Sequence, residues 1–150
     1  MGKQDLGDDQ VNEESIDNIE VVAAAVVELR DVETFCVALA TDQHGEKFGL
    51  SFQVPLSGRY DDQDRRLEMD TYSISDNLGR TVYGGISSWS LDAATSVLSL
   101  TFSAAVVDAL NVRSNLNFHL PPDKFDEIVE GFRRLFAADE RGRRLQAEPG

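Results

Sequence analysis

The sequence predicts an α+β domain: a mainly antiparallel sheet of about six to eight strands, with one short helix and a long C-terminal amphipathic helix packed on one face of the sheet. Two observations predict this class. Up to residue 120, most neighbouring β-type runs are joined by short turns, so the sheet is mainly antiparallel. Beyond residue 121, apolar residues recur at helical spacing.

The first part of the chain contains three β-type runs. Residues 19–29 combine valines with alanines, and the valine-rich ends favour a strand over a helix. Residues 34–41 form a second run. Residues 48–54 alternate between apolar and small or polar side chains until Pro55 ends the pattern. Residues 42–46 have the composition of a hairpin turn, which makes the second and third strands antiparallel neighbours.

Charged and turn-forming segments separate the strands predicted in the middle of the chain. Residues 55–66 are predicted to form a charged loop. Residues 67–75 alternate without a strongly apolar face, which predicts an edge strand. A turn over residues 76–79 leads to a strand over residues 81–87, and residues 89–91 either continue it or start another.

A strand, a short helix and a last strand follow. Residues 97–102 predict the strand, and residues 104–110 predict the helix. Ser103 is suited to cap the start of this helix, and Asn111 is suited to end it in the left-handed conformation. Residues 116–120 alternate again and predict the last strand.

The C-terminal helix has the strongest pattern in the sequence. Pro122 is suited to its first position. Acidic residues lie near its N-terminal end and arginines near its C-terminal end, as the helix dipole favours. The predicted buried face comprises Phe125, Ile128, Val129, Phe132, Leu135 and Phe136.

These elements predict one folded domain over residues 19–138. Residues 1–18 carry six acids and one lysine without periodicity, which predicts a disordered acidic tail. Residues 139–150 are predicted to be a frayed tail. With Cys36 as its one cysteine, the chain has no intrachain disulfide, and no signal-peptide pattern opens it. The longest apolar run, residues 21–27, is too short to span a bilayer, so we expect a soluble protein.

The charge balance narrows the choice of partners. The formal net charge is −13, with 27 acidic and 14 basic residues. Direct binding to nucleic acid or to an anionic membrane is disfavoured, because both need a basic surface. A basic partner protein would be attracted by such a field, although solubility alone is an alternative reason for the acidity.

No catalytic, metal or cofactor motif is evident, so we expect no catalytic residue, no cofactor and no metal. His44 and His119 lack cysteine or histidine neighbours at zinc-ligand spacing. No serine lies in a Gly-x-Ser-x-Gly turn. The acids after residue 60 lack the order and terminal glutamate of a calcium loop. Gly84-Gly85 matches no nucleotide-binding pattern and predicts a bulge or close packing of another element.

The candidate partner-binding site is the acidic stretch that starts at Tyr60, with a solvated charged loop as the alternative. Tyr60 is expected to be exposed beside the acids, whereas Tyr83 is expected in the core. Aromatic and charged side chains together are typical of protein interfaces. The candidate residues are Tyr60, Asp61, Asp62, Asp64, Glu68 and Asp70.

Residues 34–137 resemble the immunity protein 10 family of bacterial polymorphic-toxin systems. The resemblance rests on residues 35–40 (Phe-Cys-Val-Ala-Leu-Ala), residues 60–64 (Tyr-Asp-Asp-Gln-Asp), Tyr72, Tyr83-Gly84-Gly85-Ile86, residues 98–102, and the final helix ending in Arg134-Leu135-Phe136. It implies a cytoplasmic immunity protein without catalysis of its own. Such a protein binds and neutralises a cognate toxin by stoichiometric blockade, and the acidity suits a basic, nuclease-like toxin.

Two other functions compete with this one. An acidic adaptor or secretion-type chaperone would share the acidity and the α+β layout, but it would bind an unfolded segment of its partner. A small enzyme would need a pocket that brings a histidine next to a carboxylate or serine.

Overall fold

The computed structural model describes residues 16–44 and 46–142. Within them, nine strands and three complete α-helices follow one another, 3₁₀ turns cover Arg30–Val32 and Pro122–Lys124, and residues 140–142 are again helical. The strands are β1 (Ile16–Glu20), β2 (Ala23–Leu29), β3 (Thr34–Ala40), β4 (Gly49–Pro55), β5 (Ser73–Asp76), β6 (Thr81–Tyr83), β7 (Ile86–Asp92), β8 (Val97–Phe102) and β9 (Asn115–His119). The helices are α1 (Asp62–Arg66), α2 (Ala104–Leu110) and α3 (Phe125–Ala137).

The described strands form two sheets. One has four strands in the order β1-β9-β8-β7, and the other has five in the order β2-β3-β4-β5-β6. Every pairing among them is antiparallel except that of β1 with β9, which is parallel. The predicted α+β class with mainly antiparallel pairing is therefore confirmed. The strand number exceeds the predicted range because two predicted strands are each divided between the sheets.

The first division lies at Val21 and Val22. The Val21 N–H donates to the carbonyl of His119 in the four-stranded sheet (3.0 Å), and the Val22 N–H donates to the carbonyl of Ala40 in the five-stranded sheet (2.9 Å). The single strand predicted over residues 19–29 is therefore wrong. The change of sheet is not visible in the sequence, because Val21 and Val22 are consecutive apolar residues and valine is equally favourable in either strand.

The second division lies at Gly84 and Gly85, where φ is +73° and +101°. The Gly84 N–H donates to the Tyr72 carbonyl (2.8 Å), and the Gly85 carbonyl accepts from the Ser103 N–H (2.8 Å). A Cβ on Gly85 would overlap the Val106 side chain of α2. The close packing predicted for this glycine pair is confirmed, but the continuous strand predicted over residues 81–87 is wrong.

The predicted strand over residues 67–75 is also largely wrong, since pairing begins only at Ser73. Helix α1 occupies part of the predicted loop, and the chain after it turns back: the Met69 N–H donates to the Asp64 carbonyl (2.8 Å), and Glu68 has φ of +59°. Alternation without an apolar face gives a strand nothing to bury, so the local capping and turn hydrogen bonds decide the conformation.

Helix α3 lies on the inner face of β2, β3 and β4 and joins both sheets into one core. The Phe132 ring lies 4.9 Å from the Phe52 ring of the five-stranded sheet and 6.4 Å from the Trp89 ring of the four-stranded sheet. Of the predicted buried face, Phe136 is half-buried and the other five residues are buried. Pro122 opens the 3₁₀ turn before α3 instead of the helix itself.

The predicted helix after Ser103 is confirmed as α2. Ser103 has extended backbone angles at its N-cap but makes no side-chain capping hydrogen bond. Asn111 ends the helix in the left-handed conformation, with φ of +55°, as predicted.

Described structure is found close to both predicted boundaries of the domain. Strand β1 begins at Ile16, inside the predicted tail over residues 1–18, and residues 1–15 lie outside the described part. At the other end, the Arg141 N–H donates to the Asp70 carbonyl (2.8 Å), which fixes the chain beyond residue 138. Residues 143–150 lie outside the described part, and the three-part division remains a prediction.

Replacing Gly85 with alanine should destabilise the protein much more than the same change at Gly79. Gly79 also has a positive φ (+86°), but no atom lies within 4 Å of a Cβ added there. Gly79→Ala should therefore cost about 1–2 kcal/mol from backbone strain alone. Gly85→Ala adds the overlap with Val106 and should cost about 3 kcal/mol or more. Urea unfolding of both variants measures the difference, and equal losses would contradict the packing argument.

Candidate functional site

The acidic segment, residues 60–70, begins with a helix start built from its own carboxylates. The Asp64 N–H donates to Oδ1 of Asp61 (2.7 Å), and the Asp61 N–H donates to Oδ2 of Asp64 (3.1 Å). This reciprocal pair is a capping box, which satisfies backbone donors that α1 leaves unpaired. Two of the predicted partner-binding carboxylates therefore shape the segment itself.

Ion pairs connect the acidic segment with the chain that follows α3. Arg65 contacts Asp62 (2.9 Å) and Glu140 (2.5 Å), while Glu68 contacts Arg141 (3.1 Å). Each pair is largely solvated, so by itself it stabilises the fold little. Together with the Asp70–Arg141 backbone bond they place the acidic segment against the end of α3.

The structure divides the predicted partner-binding residues by exposure. Asp61, Asp62 and Glu68 are exposed and Asp64 is half-buried. Asp70 is fully buried, so its side chain has no surface to offer a partner.

The expected positions of the two tyrosines are reversed. Tyr60 is only 8% exposed, whereas Tyr83 is 40% exposed. The neighbouring acids suggested exposure for Tyr60, but the acidic segment folds back on the five-stranded sheet and encloses its ring. Tyr83 lies on edge strand β6, which has no further strand beside it in the described part of the chain.

A pocket of about 280 Å³ separates the acidic segment from the five-stranded sheet. We call it the tyrosine pocket. Tyr60 Oη and Thr71 Oγ1 are buried in its lining and have no hydrogen-bond partner among the described residues. A buried hydroxyl without a partner costs about 1–3 kcal/mol, so these two oxygens are a local cost to stability. Its lining includes Glu33, Gln53, Tyr60, Asp64, Thr71 and Tyr83.

The tyrosine pocket opens on the outer face of the five-stranded sheet, opposite α3. The strand registers place on this face the odd-numbered residues of β2, β4, β5 and β6 and the even-numbered residues of β3. We call this surface the open face. At these strand positions every side chain is uncharged, and most are alanine, serine or threonine. A second depression, of about 190 Å³, lies between Ala38 and Ser75.

Sequence reasoning missed the open face, although its signal was present. The alternation that marked the buried positions of β3 and β4 also places small uncharged residues at the intervening positions. Outward-facing polar positions in an acidic protein are ordinarily charged. That the open face is uncharged across neighbouring strands becomes visible only once the strand registers are known.

The outer face of the four-stranded sheet differs in carrying charge, since Glu20 and Asp92 lie on its edge strands. Polar side chains pair on both faces: on the open face, Ser75 Oγ lies 2.7 Å from Thr81 Oγ1. Ser99 Oγ lies 2.8 Å from Oδ1 of Asn117, and Thr101 Oγ1 lies 2.8 Å from Oδ1 of Asn115. His119 Nε2 lies 3.2 Å from Oδ1 of Asn18. These contacts use hydrogen-bonding groups that a partner would otherwise need to satisfy.

A larger cavity, of about 790 Å³, lies between β1, the end of α2 and the β3–β4 hairpin. Its lining combines acidic Asp17 and Glu20 with Arg113 and apolar Phe48. The mixed charge of its lining gives this cavity no single chemical preference.

The remaining features are the possible metal ligands, the Cys36 thiol and the apolar character of the helices. No group of three histidine, cysteine, aspartate or glutamate residues in the described ranges is arranged to hold a metal ion. Burial raises the pKa of the Cys36 thiol despite the opposing hydrogen bond from Gln53. None of the helices between residues 16 and 142 has the length and apolar character needed to cross a membrane.

The fold and these surfaces define a two-sheet α+β domain with an internally braced acidic segment and an uncharged open face. The chain belongs to the immunity protein 10 family, whose family model matches residues 20–127. This confirms the family predicted from the sequence. Membership implies an immunity protein that binds a toxin partner. Searches of curated proteins and of solved structures gave no match.

Removing the helix cap should have a larger effect than removing an equally exposed neighbouring carboxylate. Asp61→Ala deletes the acceptor of the Asp64 N–H and should cost about 1 kcal/mol. Asp62→Ala deletes only a solvated ion-pair partner of Arg65 and should cost a small fraction of that. Urea unfolding and amide exchange at Asp64 measure both effects. Equal values would show that the capping box does not hold α1.

Alkaline pH should destabilise the fold through Tyr60 and Tyr72. Burial raises the pKa of both phenols, and the carboxylates of Asp139 and Asp70 raise that of Tyr60 further. An unfolded tyrosine titrates near pH ~10, so the unfolded chain loses these protons first. The stabilisation is complete below about pH 10 and is lost as the pH rises through the raised folded pKa values. Chemical denaturation across this range should show it.

Tyr60→Phe tests the contribution of one phenol. The variant should lose less stability above about pH 10, and at neutral pH it should be as stable as the wild type or up to about 1 kcal/mol more stable, because the hydroxyl has no partner among the described residues. Tyr83→Phe is the control, since its ring is 40% exposed. An unchanged alkaline profile in Tyr60→Phe would contradict this assignment.

Proposed function

We propose that this protein neutralises one cognate toxin of a bacterial polymorphic-toxin system, in the cytoplasm, by forming a stoichiometric non-covalent complex. The match of residues 20–127 to the immunity protein 10 family carries the proposal. The protein blocks the toxin by covering a surface that the toxin needs, and it performs no reaction itself.

The charge of the chain favours a basic toxin, such as one that acts on nucleic acid. A net charge of −13 creates a field that attracts a basic surface over a distance of about one Debye length, roughly 8–10 Å at cellular salt. Such steering raises the association rate more than it raises the final affinity. Fast association suits an inhibitor that must capture a newly made toxin before the toxin acts.

Co-expression tests the proposal directly. The toxin domain encoded beside this gene should arrest growth of a bacterial host, and this protein should restore growth. An inactive variant of the toxin domain should then co-purify with it, and light scattering after size exclusion should give a fixed stoichiometry.

Two results would contradict the proposal. Restored growth without a complex would indicate that the protein destroys a toxin product, as an enzyme would. Binding to the unfolded toxin domain in preference to the folded one would indicate the adaptor or secretion-type chaperone.

Salt dependence tests the electrostatic part separately. The association rate should fall about tenfold or more as ionic strength rises from about 0.05 M to about 0.5 M, because screening shortens the range of the field. The dissociation rate should change much less. An association rate independent of salt would exclude steering while leaving the blockade itself intact.

A further inference from the structure

We infer that the open face is the toxin-binding surface, and that the tyrosine pocket receives an arginine or lysine side chain of the toxin. This inference rests on the proposed function and adds the location of the contact and the chemistry of the toxin surface that it fits.

The first argument is the absence of charge at the strand positions of the open face. Charged residues make up 27% of the chain, yet none occupies those positions. A partner that covers those strand positions desolvates no ionised side chain of this protein there, so that part of the penalty for burying charge is avoided. The cores of protein interfaces are depleted in charge for the same reason.

The second argument is conformational entropy. The small side chains on the central strands, such as Ala38 and Ser51, lose little rotamer freedom when a partner covers them. Larger apolar side chains are placed at the two sides of the face: Val27 and Leu29 on β2 are 39% and 41% exposed, and Tyr83 on β6 is 40% exposed. The open face is therefore flat at its centre and apolar at its edges.

The third argument is charge complementarity at the tyrosine pocket. Glu33 and Asp64 contribute carboxylates to its lining, and none of the described lining residues is basic. Tyr60 Oη and Thr71 Oγ1 are buried behind this lining, and neither has a hydrogen-bond partner within residues 16–44 and 46–142. The carboxylates match a guanidinium or ammonium group, which only donates hydrogen bonds.

The outer face of the four-stranded sheet lacks these features. Glu20 and Asp92 place charges on its two edge strands, and Ser99 and Thr101 on β8 pair with Asn117 and Asn115 on β9. This face therefore provides matched control positions.

Affinity measurements with the toxin domain used for co-expression test the docking surface. Ser51→Glu places a charge at the centre of the open face and should weaken binding at least about tenfold. Ser90→Glu makes the same substitution on the outer face of the other sheet and should change affinity less than about twofold. If Ser51→Glu fails to fold, Tyr83→Ser replaces it as the test, because this position is exposed. Tyr83→Ser should weaken binding by about tenfold. Thermal unfolding verifies that each variant is folded.

Two double variants test the pocket. Glu33→Gln with Asp64→Asn removes both carboxylates of the pocket, while the new amide at position 64 keeps an oxygen that can accept from the Asp61 N–H. This pair should weaken binding about tenfold or more. Asp62→Asn with Glu68→Gln removes two exposed carboxylates of the acidic segment outside the pocket, and it should change affinity less than about threefold.

The outcomes separate the inference from the function on which it rests. A wild-type protein that does not bind the toxin domain contradicts the proposed function. Wild-type affinity in Ser51→Glu and Tyr83→Ser overturns the docking surface, even if the toxin is still neutralised. If Asp62→Asn with Glu68→Gln loses more affinity than Glu33→Gln with Asp64→Asn, the pocket is not the contact. The contact is then assigned to the exposed side of the acidic segment.

Discussion

Tyr72 holds together the two sheets and the helix that covers them. Its carbonyl accepts from the Gly84 N–H and its hydroxyl accepts from the Ile86 N–H, each at 2.8 Å, so it fixes both ends of the crossing between β6 and β7. Its ring packs edge-on against Phe136 of α3, with centroids 5.7 Å apart. The crossing is possible because Gly84 and Gly85 adopt conformations that residues with side chains rarely occupy.

This crossing determines which surfaces remain available for function. Once the five-stranded sheet is joined to the other sheet at Gly84 and Gly85, its inner face is covered by α3 and the shared core. The outer face of the five-stranded sheet is then a large surface without a covering element along most of its length in the described structure. The acidic segment between β4 and β5 covers only one end of that surface, where it encloses Tyr60 and forms the tyrosine pocket.

The sequence predicted the features that depend on local pattern. The periodicity of α3, the strand over residues 97–102 and the left-handed Asn111 are all local, and all are found in the structure. The change of sheet at Val21 and Val22 was not predictable, because it depends on the distant partners His119 and Ala40, which no local pattern reveals.

The candidate site shows the same limit. Composition identified the acidic segment as unusual, but a carboxylate that caps a helix and one that faces solvent have the same sequence signal, as Asp61 and Asp62 show. Tyr60 was predicted to be exposed because its neighbours in sequence are acidic. Its ring is buried because the acidic segment folds against the five-stranded sheet. The open face is a property of registers across several strands, and no single stretch of sequence contains it.

The acidity of the chain and the neutrality of the open face are compatible because they act over different distances. Long-range attraction needs net charge but does not need it at the contact, since the field of charges elsewhere on a small domain still reaches an approaching partner. Close contact penalises charge, because each ionised group must be desolvated and paired. A charged periphery around a neutral contact surface therefore allows fast capture without the cost of burying ions. Glu33 and Asp64 are the exception, since both line the tyrosine pocket at one end of the open face.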